Sequence, residues 1–301
     1  MPITLGSLHD SKRSHRMSNL SYKTAAELYD VSGWVVVGTG CGSGLGLHMA
    51  KSLAASGARV YIASRRRELL ERLAAEHTGP GEIIPLTLDH ADKESLKAAV
   101  AEVMNREKYI DLFLANAAVF WKQLVTPQPK GEFTAAAYAD SLFSQSMEDW
   151  DGLLRINLSA IYFSCVAFMP LLAANPHKER ASIITVGSIS GTTTLSQTGQ
   201  YAYNASKAGL HSLTKMLATD FKHPAIGVRV NSVAPGYFPS EMTVVHGDPL
   251  EWNKQKGVRE RVGNQDDIAS AMYALCTNKY MNGVVLHIDG GWLLDNPTSP
   301  N

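Results

Sequence analysis

The stretch VVVGTGCGSGLGLHMA, residues 35–50, decides the fold. Its three consecutive valines are typical of a buried strand. A helical pattern begins at Ser43, and glycines alternate along residues 38–46 between the two. Glycine permits tight turns and close approach of the backbone to a pyrophosphate at a helix N-terminus. The spacing is wider than G-x-G-x-x-G, but its place between strand and helix still predicts a dinucleotide-binding turn.

The same alternation of strand and helix continues to the C-terminus. Short apolar runs predict strands at 34–38, 59–64, 82–88, 110–116, 181–187, 227–235 and 283–289. Helical patterns separate them, including a long one near 148–174 and another near 265–277. Repeated strand–helix units predict an α/β fold, a single doubly wound parallel sheet (Rossmann fold) with helices on both faces.

Composition excludes several classes of protein. The chain has 301 residues, 45% of them hydrophobic and 19% charged, with a formal net charge of zero. A sizeable core is therefore expected, without a global field for nucleic acid or an anionic membrane. Three scattered cysteines favour a reducing, cytoplasmic setting, and no histidine or cysteine spacing predicts a metal site. The apolar run 160–174 is too short for a comfortable membrane span, so no membrane partner is expected.

Two long connections interrupt the alternation. We predict an N-terminal extension over 1–32, expected to be flexible, and one domain over 33–301. Within that domain, residues 119–147 and 237–262 are long enough to be substrate loops. Phe120, Trp121, Tyr138, Tyr237 and Trp252 are among their aromatic residues. The concentration of rings predicts a sizeable apolar or aromatic substrate, although the same rings would also serve simply to pack the loops.

A candidate catalytic pair lies in YAYNASK, residues 201–207. Tyr203 and Lys207 are one helical turn apart and therefore share a face. Tyr201 has Ala205 at the corresponding position and lacks a cationic neighbour, so we interpret it as a wall of the pocket. Taken alone, the pair is either an ordinary surface contact or a tuned acid. In a tuned acid the ammonium favours the phenolate, so that interpretation predicts a lowered pKa for Tyr203.

The end of the second strand indicates which nicotinamide cofactor is bound. An acidic residue at this place usually binds the ribose hydroxyls of NAD. Here Ser64, Arg65 and Arg66 stand instead, and guanidinium groups suit a 2′-phosphate. The sequence predicts NADP(H). Arg67 is expected to belong to the solvated start of a helix.

Taken together, these motifs resemble those of the short-chain dehydrogenase/reductase family. TGCGSGLG (39–46), ANAA (115–118), VGSISG (186–191) and PGYFPSEM (235–242) follow the family's order, and the resemblance runs from about residue 33 to 293. The last motif also resembles that of the rhamnolipid-type 3-oxoacyl reductases and their fungal-type relatives. The resemblance implies an oxidoreductase that transfers hydride between a nicotinamide and a ketone or secondary alcohol.

The resemblance also implies roles for four residues. Tyr203 would exchange a proton with the substrate oxygen, and Lys207 would hold the nicotinamide ribose. Asn157 would organise a water that links Lys207 to solvent. Ser188 would hydrogen-bond the carbonyl oxygen; Ser190 remains an alternative, because the spacing to Tyr203 departs from the family pattern by two residues.

Further residues are implied as cofactor contacts. These are Thr39, Gly40, Ser43, Gly44, Leu45, Gly46, Ser64, Arg65, Arg66, Asp89, His90, Asn116, Ala117, Tyr203, Lys207, Pro235, Gly236, Phe238 and Ser240. The family's usual NNAG reads ANAA here, so the local backbone is expected to differ. His211 is expected on a helix surface.

The sequence thus predicts an NADP(H)-dependent reductase or dehydrogenase of secondary metabolism. Its substrate would be a sizeable apolar molecule of polyketide, terpenoid or fatty-acyl type. The alternative is a homologue without redox activity that binds the cofactor or works as a cyclase or lyase. The helices after Asn157 and around Tyr203 form subunit contacts in the family, so a homodimer or homotetramer is expected.

Overall fold

The computed structural model describes residues 22–125, 133–197, 199–240 and 261–295. Within them the strands are β1 (Val35–Thr39), β2 (Arg59–Ser64), β3 (Glu82–Thr87), β4 (Leu112–Ala115), β5 (Ser182–Val186), β6 (Arg229–Pro235) and β7 (Val285–Ile288). All neighbouring strands are parallel, in the order β3-β2-β1-β4-β5-β6-β7. This confirms the predicted doubly wound sheet. The order reverses between β1 and β4, where such sheets open a ligand crevice at the carboxyl ends of their strands.

Helices cover both faces of the sheet. They are α1 (Ala25–Leu28), α2 (Gly44–Ala55), α3 (Arg67–Ala75), α4 (Lys93–Met104), α5 (Ala135–Phe143), α6 (Met147–Leu154), α7 (Ala160–Ala173), α8 (Tyr201–Phe221), α9 (Gln265–Thr277) and α10 (Trp292–Asp295). Helix α1 lies inside the segment assigned to the N-terminal extension, and Thr24 caps it through a capping box. Side-chain caps at Asp92, Thr134, Ser146 and Asn264 begin α4, α5, α6 and α9.

Two apolar cores follow from the period of two along each strand. Val35 and Val37 of β1 pack in the core under α4, α7 and α8, whereas Val36 packs in the opposite core under α2, α3 and α9. Asp111, buried before β4, accepts a hydrogen bond from the Val35 amide at 2.8 Å. Because helices cover both faces, the strands are apolar on both sides.

One long helical stretch carries Asn157. Met147–Ala173 is 27 residues long, with a π-helical turn at Arg155–Ser159 between α6 and α7. Its length and its mean hydropathy of 1.8 over 18 residues would permit a membrane span. However, Ile161, Cys165 and Phe168 are fully buried in the core on the sheet. We therefore interpret it as a core helix of the domain.

Candidate active site

The glycine turn lies at the carboxyl end of β1 and has the backbone that its sequence requires. Gly40 and Gly44 have φ of +65° and +54°, in the left-handed region that side chains disfavour. A Cβ at Gly40 would lie 2.7 Å from the Cα of Ala117. A Cβ at Gly46 would lie 2.3 Å from Asn116 Nδ2. The turn therefore packs closely against the residues that follow β4. At Gly42 and Gly44, next to the start of α2, an added Cβ would meet no atom closer than 3.4 Å.

Asn116 fastens the two sides of the switch point together. Its Nδ2 donates to the carbonyl oxygens of Thr39 and Gly40 at 3.2 and 3.0 Å. The Thr39 hydroxyl oxygen in turn accepts from the amides of Asn116 and Ala117, both at 3.2 Å. These bonds show that Asn116 and Thr39 hold the backbone that shapes the cleft. The resemblance had implied only that both residues contact the cofactor.

A cleft of about 810 Å³ extends from this turn. Its lining includes most of the predicted cofactor residues: Thr39, Gly40, Ser43, Gly44, Leu45, Ser64, Arg65, Arg66, Asp89, His90, Asn116, Ala117, Lys207 and Ser240. Gly46, Tyr203, Pro235, Gly236 and Phe238 do not line it. Phe238 is instead buried, with its ring against Gly263. The structure adds Gly152, Arg155, Ile156 and Val186, none of which was predicted as a cofactor contact.

Basic side chains surround the end of the cleft beside β2. Arg65 and Arg66 are exposed and line it, and the Ser64 hydroxyl oxygen accepts from the Arg66 amide at 3.2 Å. Arg67 differs, because its Nε pairs with Glu71 Oε1 at 2.7 Å one turn along α3. Arg65 and Arg66 therefore line the cleft, whereas the Arg67 guanidinium belongs to helix α3.

Asp89 and His90 form the neighbouring wall. Asp89 Oδ1 accepts from the Ala91 amide at 3.0 Å, and the Asp89 amide donates to the Ser95 hydroxyl oxygen at 3.0 Å. Burial lowers the pKa of His90 to about 4, and Arg65 adds to the effect. The imidazole is therefore neutral near pH 7, so this wall adds no further cation to the cleft.

Lys207 is held at the opposite end of the cleft. Its side chain is only 2% exposed, and Nζ donates to the Val186 carbonyl oxygen at 2.9 Å. Burial lowers the pKa of Lys207 to about 8. An ammonium carries three protons, and within the described residues Val186 is the acceptor found for one of them.

Tyr203 stands beside Lys207, as the helical spacing predicted. Nζ lies 5.7 Å from the centre of the phenol ring. The expected direction of the pKa shift is wrong, because burial raises the pKa of Tyr203 to about 12. The Ser188 hydroxyl, beside the phenol, opposes that rise. The phenol is therefore protonated near neutral pH.

The two candidate serines point to different places. Ser188 begins a 3₁₀ turn (Ile189–Gly191) and its hydroxyl lies beside Tyr203. The Ser190 hydroxyl donates to Gln197 Oε1 at 2.7 Å. The geometry thus favours Ser188 as the group next to the phenol.

Asn157 lies in the π-helical turn and is fully buried. Its Oδ1 accepts from the Val119 amide at 2.8 Å, and its Nδ2 donates to the Val119 carbonyl oxygen at 2.9 Å. A weaker contact joins Nδ2 to the Ser206 hydroxyl at 3.4 Å. The amide therefore fixes the loop after β4 against α8, next to Lys207. Single π turns are frequent at functional sites.

Aromatic rings close one side of the phenol. Phe120 meets Tyr203 edge-on at 5.3 Å between ring centres, and Trp121 and Trp150 pack in the same small cluster. Tyr201 is not part of this wall, since its hydroxyl pairs with that of Tyr138 at 2.9 Å on the exposed side of α8. Residues 126–132 of the first predicted substrate loop and 241–260 of the second, including Trp252, lie outside the described residues.

The residues present fit a dinucleotide. The glycine turn offers backbone at a helix N-terminus, Asp89 and His90 wall the cleft, and Lys207 and Ser240 also line it. A Cβ at Gly44 would lie 3.4 Å from Ser240 Cβ, so residue 240 lies across the glycine turn. Thr39, Gly40, Asp89 and Lys207 would hold the successive parts of such a molecule. A bound nicotinamide would supply or accept a hydride beside Tyr203.

Known proteins share both the sequence and the fold. The family model described as enoyl-(acyl carrier protein) reductase matches residues 38–293. Short-chain dehydrogenase/reductase PhomF of Diaporthe leptostromiformis is 35% identical over 287 residues, covering 91% of this chain and 96% of the relative. The rhamnolipids biosynthesis 3-oxoacyl-(acyl-carrier-protein) reductase of Pseudomonas aeruginosa is 30% identical over 276 residues, covering 88% and 98%.

Solved structures agree with this relationship. The Pseudomonas aeruginosa RhlG/NADP active-site complex superposes with a TM-score of 0.73 at 25% identity, over 88% of this chain and 98% of that one. The 3-ketoacyl-(acyl-carrier-protein) reductase of Brucella melitensis complexed with NADH gives a TM-score of 0.70 at 25% identity, over 86% and 98%. The chain therefore belongs to the short-chain dehydrogenase/reductase family and is an NAD(P)-dependent oxidoreductase that acts on CH–OH and C=O groups.

Proposed function

We propose that this protein is an NADP(H)-dependent ketone reductase, reversible in principle, for a sizeable apolar substrate of polyketide, terpenoid or fatty-acyl type. The observation that carries the proposal is the Ser188–Tyr203–Lys207 arrangement beside the cleft, with the Phe120 ring against the phenol. Two kinds of relative support the proposed reduction and the proposed substrate class: a reductase named for 3-oxoacyl substrates, and fungal short-chain dehydrogenase/reductases.

The chemistry follows from the protonation states of these side chains. With a pKa near 12, Tyr203 carries its proton at pH 7 and can donate it to a carbonyl oxygen that gains charge during reduction. Ser188 would donate a second hydrogen bond to the same oxygen and fix its position. Lys207 would orient the nicotinamide ribose, and Asn157 would keep the loop at Val119 against the site. Oxidation of an alcohol would require the reverse transfer, for which Tyr203 must first lose its proton.

A panel assay tests the proposed function. The decrease of NADPH absorbance is followed with an aromatic polyketide-type ketone, a terpenoid ketone and a 3-oxoacyl thioester, with a sugar ketone as the polar comparison. We expect kcat/KM to be about tenfold or more higher for at least one apolar ketone, because a few buried methylene groups are worth that much. Tight NADPH binding with no turnover of any ketone would contradict the proposal and support a role without redox chemistry, or a cyclase or lyase.

Cofactor preference rests on Arg65 and Arg66. A guanidinium that grips a 2′-phosphate contributes about 1.5–3 kcal/mol, so Arg65→Ala and Arg66→Ala should each weaken NADPH binding about 10- to 100-fold. NADH binding should change little, because NADH lacks that phosphate. Titration of cofactor fluorescence measures both dissociation constants. Arg67→Ala is the matched control, since Arg67 pairs with Glu71; equal weakening for NADPH and NADH would reject the assignment.

We also propose a cytoplasmic enzyme of secondary metabolism that forms a homodimer or homotetramer. Three large apolar side chains are exposed on the helices that form subunit contacts in the family. Tyr162 and Phe163 on α7 and Met216 on α8 are 40%, 37% and 56% exposed. A second copy of the chain would cover these side chains. Light scattering from the intact protein tests the assembly, and a monomer at micromolar concentration would contradict it.

A further inference from the structure

His211 is a buried histidine that the proposed chemistry does not use. Sequence reasoning assigned it to a helix surface, but only 8% of it is exposed. It lies one helical turn after Lys207 on α8 and therefore shares the catalytic face of that helix. Its Nε2 is buried and has no hydrogen-bond partner among the described residues. A buried polar atom of this kind requires an explanation.

The imidazole lies against the start of the turn that carries Ser188. A Cβ added to Gly187 would lie 2.3 Å from His211 Nε2 and 2.8 Å from Cδ2, so the ring occupies the space that a side chain at 187 would take. Gly187 separates Val186, whose carbonyl accepts from Lys207, and Ser188, which faces Tyr203. The His211 ring thus packs against the backbone that positions Ser188 and accepts the hydrogen bond from Lys207.

The opposite side of the imidazole faces the end of the same turn. Nδ1 lies 3.5 Å from the Thr192 hydroxyl oxygen, which is 2.8 Å from Nε2 of His287 on β7. The two imidazole rings are nearly perpendicular, with centres 6.2 Å apart. Gly191, just before Thr192, packs on the backbone of Lys207, where an added Cβ would be 2.6 Å from the carbonyl carbon. The turn from 187 to 192 is therefore held at both ends against α8.

We propose that His211 is a positioning residue that holds the 187–192 turn and thereby places the Ser188 hydroxyl beside Tyr203. Thr192 and His287 support it from the far side. The expected effect of His211 on kcat rests on the proposed function. The mechanical part, that His211 holds the 187–192 turn in place, does not depend on it. His211 does not line the cleft, so cofactor binding should be nearly independent of it.

Hydrogen exchange tests the mechanical part without any substrate. In the native turn the Ser190 amide donates to the Ser188 hydroxyl at 3.1 Å and the Gly191 amide donates to the Ser188 carbonyl at 3.0 Å. His211→Phe keeps an aromatic ring, slightly larger than the imidazole, and removes both nitrogens. We expect these two amides to exchange about tenfold or more faster in the variant, since exchange reports local opening. Unchanged exchange would overturn the inference, whatever the activity.

Thr214→Val is the matched control. Thr214 is buried on the same helix and bonds to the Thr185 hydroxyl at 2.8 Å, away from the turn. This variant should lose stability without faster exchange at Ser190 and Gly191. If His211→Phe does not fold, His211→Asn takes its place; its amide can still reach Thr192, and an intermediate effect is expected.

A double-mutant cycle tests the kinetic part. His211→Phe should lower kcat about tenfold and change the dissociation constant of NADPH less than about threefold, because displacement of a catalytic group by a fraction of an ångström is costly. In a Ser188→Ala background the same change should cost less than about twofold. If the losses of kcat from His211→Phe and Ser188→Ala simply multiplied in the double variant, His211 would not act through Ser188 and this part of the inference would be overturned. An inactive wild type, or full activity of Ser188→Ala, would instead contradict the proposed function and leave the exchange result to decide on His211.

Discussion

Tyr203→Phe is expected to lower kcat for ketone reduction by about 10³-fold while leaving the dissociation constant of NADPH within about threefold. A positioned general acid contributes roughly 10²- to 10⁴-fold. The phenol is the group beside Ser188 and Lys207 that carries a transferable proton at pH 7, because its pKa is about 12. Phenylalanine keeps the ring that packs against Phe120 and removes only the hydroxyl. Steady-state kinetics with the best ketone of the panel, together with cofactor fluorescence, measures the two effects.

Tyr201→Phe is the matched control for this result. It is the same chemical change two residues earlier on α8, but the Tyr201 hydroxyl pairs with Tyr138 at 2.9 Å and does not face Lys207. We expect less than a twofold change in kcat. If the two variants lost activity equally, or if Tyr203→Phe remained fully active, the assignment of the proton donor would be wrong.

The protonated phenol also gives an expectation for pH. A tyrosine with a pKa near 12 does not titrate between pH 6 and 9, so kcat for reduction should not fall in that range through ionisation of Tyr203. Lys207, whose pKa is near 8, does titrate in that range.

The sequence predicted the elements whose signal is local. The strand at Val35–Thr39 and the helix at Gln265–Thr277 are set by runs of apolar residues and by caps, and each was found within one residue of its predicted bounds. The Tyr203–Lys207 pair follows from the 3.6-residue period alone, and it lies on one face as expected. The glycine turn is similar, since Gly40 and Gly44 have the positive φ that only glycine adopts easily.

Properties that sum over the whole fold could not be predicted from the sequence. The pKa of Tyr203 depends on how far the fold buries the phenol, and burial raises it, whereas the sequence showed only the neighbouring lysine. His211 shares the face of Lys207, but periodicity does not tell which of two faces meets the sheet. The choice between Ser188 and Ser190 required the position of Gln197, seven residues further along the chain.

Lys207→Met is expected to remove activity and also to change how stability depends on pH. Turnover should fall by about 10²-fold or more, and NADPH should bind more weakly, because a buried cation that lines the cleft is lost. The second effect is independent of any substrate. It follows from the burial of an ammonium that is 2% exposed and has a pKa near 8 rather than the ordinary 10.5.

The sign of the pH effect is fixed by proton binding. Between pH 8 and 10.5 the unfolded chain keeps the proton on Lys207 while the folded protein releases it, so the free energy of unfolding rises with pH. Below pH 8 both states are charged and the full cost of burying the ammonium remains. A shift of this size corresponds to on the order of 3 kcal/mol. The stability of the wild type minus that of Lys207→Met should therefore increase by on the order of 3 kcal/mol from pH 7 to 10.5.

Denaturant unfolding of the cofactor-free proteins at several pH values measures this difference. Subtraction removes the contributions of groups common to both proteins, such as the tyrosines that begin to ionise near pH 10 when unfolded. Lys215→Met, on an exposed turn of the same helix, is the control and should give a flat difference. A flat difference for Lys207→Met as well would show that the ammonium is hydrated in the folded protein, and the buried cation on which the proposed site depends would be absent.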